Sequence, residues 1–245
     1  DMKTDTLYIY REYFKTEKTT LENGRMIIAL GARDPDLRWI VCDPESKDGR
    51  LLLARELGLN PVFVTASTCD LSEIGRKNIE NLKKSFDTIE ISPQKEVRKK
   101  LNKICLETLG DISWAEHVAI FTQPIQIAAK LNIKLIFYGE QPQFEYGGPI
   151  RPDANIMDRE WMEEFGGFLG FRVSDLINHY GFKRKELLPY IYPDQNIIKE
   201  KKIKAIFMGY YFDWNNQENY KISERNGFTP FKNAIEGGNL SYEKI

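Results

Sequence analysis

The chain has few of the residues that bind soft metals or form disulfides. Its 245 residues include three cysteines and two histidines. Cys42, Cys69 and Cys105 lie far apart, with no C-x-x-C pair among them. This set disfavours a structural zinc site and a disulfide framework, and it favours a reduced, cytoplasmic protein.

The sequence also lacks a charge excess of one sign and a long apolar run. Lys plus Arg number 35 and Asp plus Glu number 36, giving a net charge of -1, which argues against broad electrostatic binding to nucleic acid or anionic membrane. No apolar run approaches the roughly 20 residues of a membrane-spanning helix, and the N-terminus does not resemble a signal peptide. We therefore expect neither a nucleic-acid partner nor a membrane. The abrupt polar start and the ending "NLSYEKI" are typical of a fragment.

From about residue 38 onward, strand and helix patterns alternate. The strands are "RWIVCD", "PVFVT", "DTIEIS" and "IKLIFYG"; the helices are "LLLARELGLN", "LSEIGRKNIENLKKSF" with Ser72 near its start, "PQKEVRKKLNKICLETLG", and a long apolar helix interrupted at Pro124. This alternation predicts an α/β fold, a parallel sheet with helices on both faces.

The regular alternation is broken at both ends of the chain. Upstream, the pattern of residues 6–14 predicts a strand. The apolar residues of "TTLENGRMIIALG" have helical spacing, which predicts a short helix. After residue 139, a loop rich in Gly and Pro leads into "DREWMEEFGGFLGFRVSDLINHYGF", which predicts an inserted helical region. A helix, the strand "IKAIFMGYYF" and a last helix follow it.

The most suggestive polar residues follow the strand "IKLIFYG". In an open parallel sheet, ligands bind at the carboxyl ends of the strands, so Glu140, Gln143 and Glu145 would project from one loop into one cleft. Two carboxylates and an amide suit a magnesium-bound nucleotide or a ligand rich in hydroxyl groups. The alternative is a solvated loop whose acids bind nothing.

Other candidates have two interpretations each. His117, near the start of the long apolar helix, is either a packed, hydrogen-bonded residue or a functional one. Glu116 faces another direction on a helix, so it need not pair with His117. The glycines of "FGGFLGFR" permit either the close approach of a ligand or tight helix packing, and Tyr146-Gly147-Gly148-Pro149 favours a turn over a phosphate-binding loop.

Several long blocks of the sequence resemble a known enzyme family. "LGLNPVFVTASTCDLSEIGRKNIENLKK", "KLNKICLETLGDISWAEHVAIFTQPIQIAAKLNIKLIFYGEQPQFEYGG", "EFGGFLGFRVSDL" and "IKAIFMGYYFDWNNQENY" are similar to N-acetyl sugar amidotransferases of the PP-loop ATP-pyrophosphatase superfamily. The resemblance covers residues 51–245 and implies an adenine-nucleotide α-hydrolase-like fold.

The resemblance also implies an activity and a set of roles. ATP would activate the acetamido oxygen of a nucleotide-sugar by adenylylation, and ammonia from a partner glutaminase would displace AMP, giving an acetamidino sugar for bacterial surface glycans such as lipopolysaccharide O-antigen. The implied roles are catalysis (Glu140, Glu145), nucleotide binding (Val64, Thr65, Ala66, Ser67, Lys47, Asp48), substrate binding (Gln143, His117) and Mg²⁺ binding (Asp48, Glu140).

The chain departs from this family at the phosphate loop. The family has Ser-Gly-Gly-Lys-Asp-Ser before the helix that leads to "LGLNP", whereas this chain has Glu45-Ser46-Lys47-Asp48-Gly49. Adjacent glycines let backbone N–H groups approach pyrophosphate, and a Glu side chain in that turn would obstruct and repel it. We therefore expect little or no catalytic competence, and a non-catalytic relic that binds a nucleotide-sugar or a glutaminase is an alternative.

Residues 1–50 resemble a different family, the RNase H-like nuclease domain of phage terminase large subunits. In that family an Asp-Pro at a strand end supplies a metal-binding carboxylate, which makes Asp43 the matching residue. Two-metal nucleases need several carboxylates, and the rest of that domain is not in this chain. We therefore expect a segment of different origin at 1–50, an amidotransferase-like domain at 51–245, and a terminase nuclease fragment as a third alternative.

Overall fold

A parallel sheet of five strands forms the centre of the part of the chain that the structure, a computed structural model, describes. That part comprises residues 25–30, 60–67, 72–139, 147–151, 154–207, 210, 221, 224–225 and 227–230. Its strands are β1 (Arg25–Leu30), β2 (Asn60–Ala66), β3 (Asp87–Ile91), β4 (Leu135–Tyr138) and β5 (Lys204–Phe207). Their order is β3-β2-β1-β4-β5, and every neighbouring pair is parallel.

Helices cover both faces of this sheet, which confirms the predicted α/β fold class. The α-helices are α1 (Glu73–Ser85), α2 (Lys95–Leu109), α3 (Trp114–Leu131), α4 (Arg159–Glu164), α5 (Val173–Tyr180) and α6 (Gln195–Glu200), and a 3-10 helix spans Arg184–Tyr190. The parallel strand order, reversing beside β1, is that of doubly wound nucleotide-binding folds and fits the expected adenine-nucleotide α-hydrolase-like type. Within the described ranges, no helix is both long enough and apolar enough to cross a membrane.

Strand β2 shows how the two faces are filled. Val62 and Val64 belong to the same buried cluster as Leu101 of α2 and Ala119 of α3. Phe63 points to the opposite face, because side chains alternate along a strand. There its ring centroid lies 4.9 Å from that of Phe86, the residue that ends α1.

The prediction of a short helix at "TTLENGRMIIALG" was wrong for Arg25–Leu30, which form the central strand β1. A short apolar run fits a buried strand as well as a helix face. Here the sheet decides between them, since Ile27 and Ile28 pair with both β2 and β4. Pairing along both edges satisfies the backbone and overrides the helical spacing.

Helix α3 runs without interruption through Pro124, contrary to the expected break. A proline inside a helix costs about 3 kcal/mol because it lacks an N–H and crowds the preceding turn. The surrounding contacts offset this cost: Pro124 is buried, and α3 packs against β1, β2, β4 and the 3-10 helix.

Several smaller predictions are confirmed. The Ser72 hydroxyl accepts a 3.0 Å hydrogen bond from the Gly75 N–H and caps α1. Gly110 ends α2 with a φ of 72°, a conformation that favours glycine. A Cβ on Gly166 would lie 2.8 Å from Met162 Cε and 2.9 Å from the Met162 backbone, so Gly166 permits close packing at the end of α4. The insertion predicted after residue 139 contains α4, α5 and the 3-10 helix.

The predicted strands at 6–14 and 38–43, the helix at 51–59 and most of the last helix lie outside the described residues. One contact does reach the described residues of that C-terminal region. The carboxamide of Asn78 in α1 donates to the Thr229 carbonyl at 3.0 Å and accepts from the Thr229 N–H at 2.8 Å.

An ion-pair network joins α1 to β3. Glu90 accepts hydrogen bonds from Arg76 and Lys83, each at 3.0 Å. Burial opposes the charged form of Glu90, but these two cations together outweigh it and hold the pKa of the carboxyl below its ordinary value. Glu90 therefore stabilises the folded protein at pH values above the pKa that this carboxyl has in the unfolded chain. This stabilisation is lost as the pH falls through the lower pKa of the folded state.

We predict that Glu90→Gln lowers the free energy of unfolding by about 1 kcal/mol at neutral pH, since the pairs are partly solvent-exposed. The difference from the unmodified chain should shrink as the pH falls below about 4.5, the ordinary carboxyl value, because protonated Glu90 then resembles Gln. Urea unfolding across this pH range measures it, with Glu200→Gln, exposed on α6 and outside this network, as control. A difference that does not change with pH would contradict the assignment.

Candidate functional site

The strand order of the sheet reverses between β1 and β4, and we call the region beyond the carboxyl ends of these two strands the crevice. After β1, the chain places β2 and then β3 on one side of β1, and it later places β4 and β5 on the other side. In doubly wound sheets, ligands bind outside the strand ends at this point of reversal. This point of reversal is therefore a candidate ligand site of the fold.

The end of β2, next to β1 on the side away from β4, contains Val64, Thr65 and Ala66, and Ser67 follows it; these are four of the predicted nucleotide-binding residues. Val64 and Thr65 pair with both β1 and β3, so their backbone is committed to the sheet. Leu30, the last described residue of β1, lies opposite Thr65, and on the other side Ala66 pairs with Ile91 while the Ser67 N–H donates to Ile91 O at 2.9 Å. Nucleotide binding by Val64, Thr65, Ala66 and Ser67 stays a prediction.

The predicted carboxylates and phosphate-binding residues lie outside the described residues: Glu140, Gln143, Glu145, Lys47, Asp48 and Asp43. In the sequence, Glu140 comes two positions after Tyr138, the last residue of β4, so it follows one of the two strands that flank the crevice. In the described ranges, no group of three or more His, Cys, Asp or Glu side chains could hold a metal ion. Magnesium binding by Asp48 and Glu140 stays a prediction.

The position of β1 also changes where a phosphate loop is expected. Phosphate binds at the loop that follows the first strand of a doubly wound sheet. The central strand ends at Leu30, so that connection begins with Gly31-Ala32-Arg33-Asp34 and reaches Glu45–Gly49 only later. Both stretches belong to the same connection between β1 and β2.

Glu116 and His117 have different partners, as the helical geometry predicted. Glu116 forms an ion pair with Arg98 of α2, whose Nε donates to Asn102 Oδ1 at 2.7 Å. The Nδ1 of His117 lies 3.5 Å from Asp111 Oδ2, and its side chain is 28% exposed. These contacts place both residues at the N-terminal turn of α3; substrate binding by His117 stays a prediction.

Cys105, on α2, is unsuited to nucleophilic chemistry. It is fully buried, and burial, assisted by the charge of Asp111, raises the pKa of its thiol to about 12. The thiolate is the reactive form of cysteine, so Cys105 remains protonated and unreactive at neutral pH.

A cavity of about 300 Å³ lies between α3, the helical insertion and the 3-10 helix. Sequence reasoning missed it. Its aromatic walls come from separate elements: Trp114, Phe168, Phe171, Tyr190 and Tyr192. The indole N–H of Trp114 donates to the Phe168 carbonyl at 2.9 Å, which fixes the indole ring at the base of the cavity.

Charged residues line the same cavity, three arginines against one glutamate. Glu163 accepts from the Nε of Arg159 at 2.7 Å and from the Nε of Arg172 at 3.3 Å. Arg172 also pairs with Glu164. The guanidinium of Arg159 lies over the Tyr192 ring, 5.0 Å from its centroid, and desolvation raises the pKa of Tyr192, so its hydroxyl stays protonated.

Two neighbouring polar side chains of α3 are buried without hydrogen bonds from the described residues. Thr122 lines the cavity, and its hydroxyl has no partner. Gln123 is fully buried, and neither its Oε1 nor its Nε2 has one. Folded proteins pair nearly all such groups with protein, water or ligand, so a polar molecule bound in the cavity would satisfy the Thr122 hydroxyl.

Little in the sequence could have revealed this cavity. Arg159, Arg172 and Arg184 lie on three different elements and share no motif. The nearest signal was "FGGFLGFR", which contains Phe168 and Phe171 and ends at Arg172. Only the packing of the insertion on α3 brings these residues together.

No protein-family model and no curated protein matches the chain. Among solved structures, one that is similar is described as a predicted subunit of tRNA methyltransferase from Methanocaldococcus jannaschii. It has 9% sequence identity and a TM-score of 0.36, over 82% of this chain and 75% of that chain. A likeness at this level identifies neither a family nor an activity.

We predict that the Cys105 thiol resists modification in the folded protein, because it is buried and protonated. The measurement is the rate of reaction with a disulfide reagent at about pH 8, near the free-thiol pKa, in a Cys42→Ser, Cys69→Ser variant that leaves one thiol. The rate should rise only when urea unfolds the chain. Rapid reaction under native conditions would show that the site is open.

Proposed function

We propose that this protein is an N-acetyl sugar amidotransferase that binds ATP at the crevice between β1 and β4. It would convert the acetamido group of a nucleotide-sugar to an acetamidino group, with ammonia from a partner glutaminase. The observation that carries the proposal is the strand order, which puts the ends of β1 and β4 at the point of reversal. The resemblance of residues 51–245 supplies the reaction.

The adenine ring would lie beside the end of β2, where the family resemblance implies nucleotide binding by Val64, Thr65, Ala66 and Ser67. Ala66 and Ser67, at and just after the end of β2, are both buried. A buried strand end of this kind suits the flat, largely apolar ring of a base. This supports placing the adenine beside β2 and the phosphates beside β1.

The roles proposed for the remaining residues follow from their position after β4. Glu140 would be a hard oxygen ligand of the kind that Mg²⁺ prefers, together with Asp48. Bound ATP would supply the adenylyl group that activates the amide oxygen. Glu145 would accept a proton from the attacking ammonia as AMP leaves, and Gln143 and His117 would hold the sugar.

A second candidate function is binding without turnover. The departure from Ser-Gly-Gly-Lys-Asp-Ser at residues 45–49 favours it, because a loop without adjacent glycines holds pyrophosphate poorly. Such a relic would still bind a nucleotide-sugar or a glutaminase. A terminase nuclease fragment has less support, since it depends on residues 1–50 and on Asp43.

We predict that the chain binds magnesium-ATP with micromolar affinity, and that Glu140→Ala weakens binding by about tenfold or more through loss of a charged ligand. Isothermal titration calorimetry measures both. Glu96→Ala is the matched control, because the Glu96 side chain is 84% exposed on α2. Equal affinities in the two variants would remove Glu140 from the site, and no binding by a cooperatively folded chain would reject the nucleotide site.

We also predict that AMP release in the presence of ATP, ammonia and an N-acetylated nucleotide-sugar is weak or absent. The physical reason is the missing Gly-Gly pair at the phosphate loop. Replacing Pro44–Gly49 with the family's Ser-Gly-Gly-Lys-Asp-Ser, which keeps Lys47 and Asp48 in place, should raise AMP release if that stretch binds phosphate. Vigorous release by the unmodified chain would show that another part of the β1–β2 connection serves instead.

A further inference from the structure

In the cavity between α3, the helical insertion and the 3-10 helix, the lining side chains change from charged at the entrance to aromatic in the interior. Arg172 and Arg184 are exposed at the mouth. Thr122, Trp114 and Tyr190 lie at the floor, each at most 1% exposed. Positive charge therefore surrounds the entrance, while aromatic surface and a hydroxyl form the interior.

The charges at this cavity favour an anion over a cation. Its single lining carboxylate, Glu163, is already held by Arg159 and Arg172. Arg184 has no carboxylate partner in the described ranges, and neither terminal nitrogen of Arg159 has a hydrogen-bond partner there. Arginine forks with free N–H groups are the usual ligands of carboxylate and phosphate.

The interior favours a hydroxylated ring. The aromatic walls offer flat apolar faces on which a ring can stack, and the unpaired hydroxyl of Thr122 requires a polar partner at depth. Ser174 and Asn178 add further polar groups near the mouth. A volume of about 300 Å³ is at the small end of ligand sites, which fits a single ring and excludes a whole nucleotide.

From this arrangement we propose that the cavity binds an anionic monosaccharide, a sugar ring that carries a carboxylate or a phosphate. The anion lies between Arg159 and Arg184, the ring lies against the aromatic walls, and a ring hydroxyl bonds to Thr122. The choice of a sugar among ring-shaped anions rests on the proposed function; the preference for an anion does not.

The experiment uses the complete 245-residue chain and three probes: glucuronate, glucose 6-phosphate and neutral glucose. The readout is the NMR signal of the Trp114 indole N–H, identified by its loss in Trp114→Phe, during titration to millimolar probe. We expect one or both acids to shift this signal saturably and glucose to leave it unchanged. A shift by only one acid identifies the anion as carboxylate or phosphate.

Matched variants test the assigned contacts. Arg184→Gln should weaken binding of the acid about tenfold by loss of a charged hydrogen bond, whereas Lys185→Gln, exposed on the same helix but outside the cavity, should not. Thr122→Val should weaken binding several-fold without lowering Tm, because the hydroxyl that it removes has no partner to lose.

The proposal is overturned by an unshifted Trp114 signal with both acids, by equal binding of glucose, or by unchanged affinity in Arg184→Gln or Thr122→Val. These outcomes are distinct from failure of the proposed function, because ATP binding is measured separately by calorimetry with Glu140→Ala. Loss of either binding activity leaves the other measurable.

Discussion

The enclosure of helix α3 is the constraint on which the rest of the structure depends. One side of the helix packs on β1, β2 and β4, and the 3-10 helix packs on another. The Phe121 ring lies 5.3 Å from Tyr138 of β4 and 6.3 Å from Phe168 of the insertion. No side of α3 faces solvent over its middle turns. The same residues of this helix therefore position both the sheet and the insertion.

This enclosure explains two otherwise costly features of α3. Pro124 is accommodated because tertiary contacts on several sides replace the lost helical hydrogen bond. Polar groups in the same stretch cannot reach water, so Thr122 and Gln123 remain unpaired in the described structure. The Gln126 side chain, one turn further on, avoids this cost by donating to the Leu188 and Ile191 carbonyls at 2.8 and 2.6 Å.

The sequence predicted the fold well wherever the hydrophobic pattern was long. Helices α1, α2 and α3 and strands β2 to β5 were recognisable because periodicity, caps and Gly110 agreed. Strand β1 was not, since "RMIIAL" is too short for its pattern to separate a helix from a strand, and only its two neighbours in the sheet decide. Prediction of the site residues had the same limit. Helical geometry alone could predict that Glu116 and His117 have different partners. Arg159, Arg172 and Arg184 come together only when the insertion folds, so no local pattern could predict them.

The two candidate binding regions share α3. Only three residues separate its end at Leu131 from the start of β4 at Leu135, so the helix and the strand lie side by side in opposite directions. The beginning of α3 therefore lies towards the carboxyl edge of the sheet, and the cavity residues Trp114 and Val118 are on that half of the helix. A small ligand held there would therefore lie towards the same edge of the sheet as the nucleotide proposed for the crevice.

The paired hydrogen bonds between Asn78 and Thr229 have a consequence for synthesis of the chain. The two residues are 151 positions apart, and the ribosome adds about 5–20 residues per second. Helix α1 is therefore made many seconds before the segment that satisfies its buried carboxamide. During that interval the Asn78 carboxamide lacks both of these backbone partners, so the last contacts of α1 form only after the C-terminal region has been made.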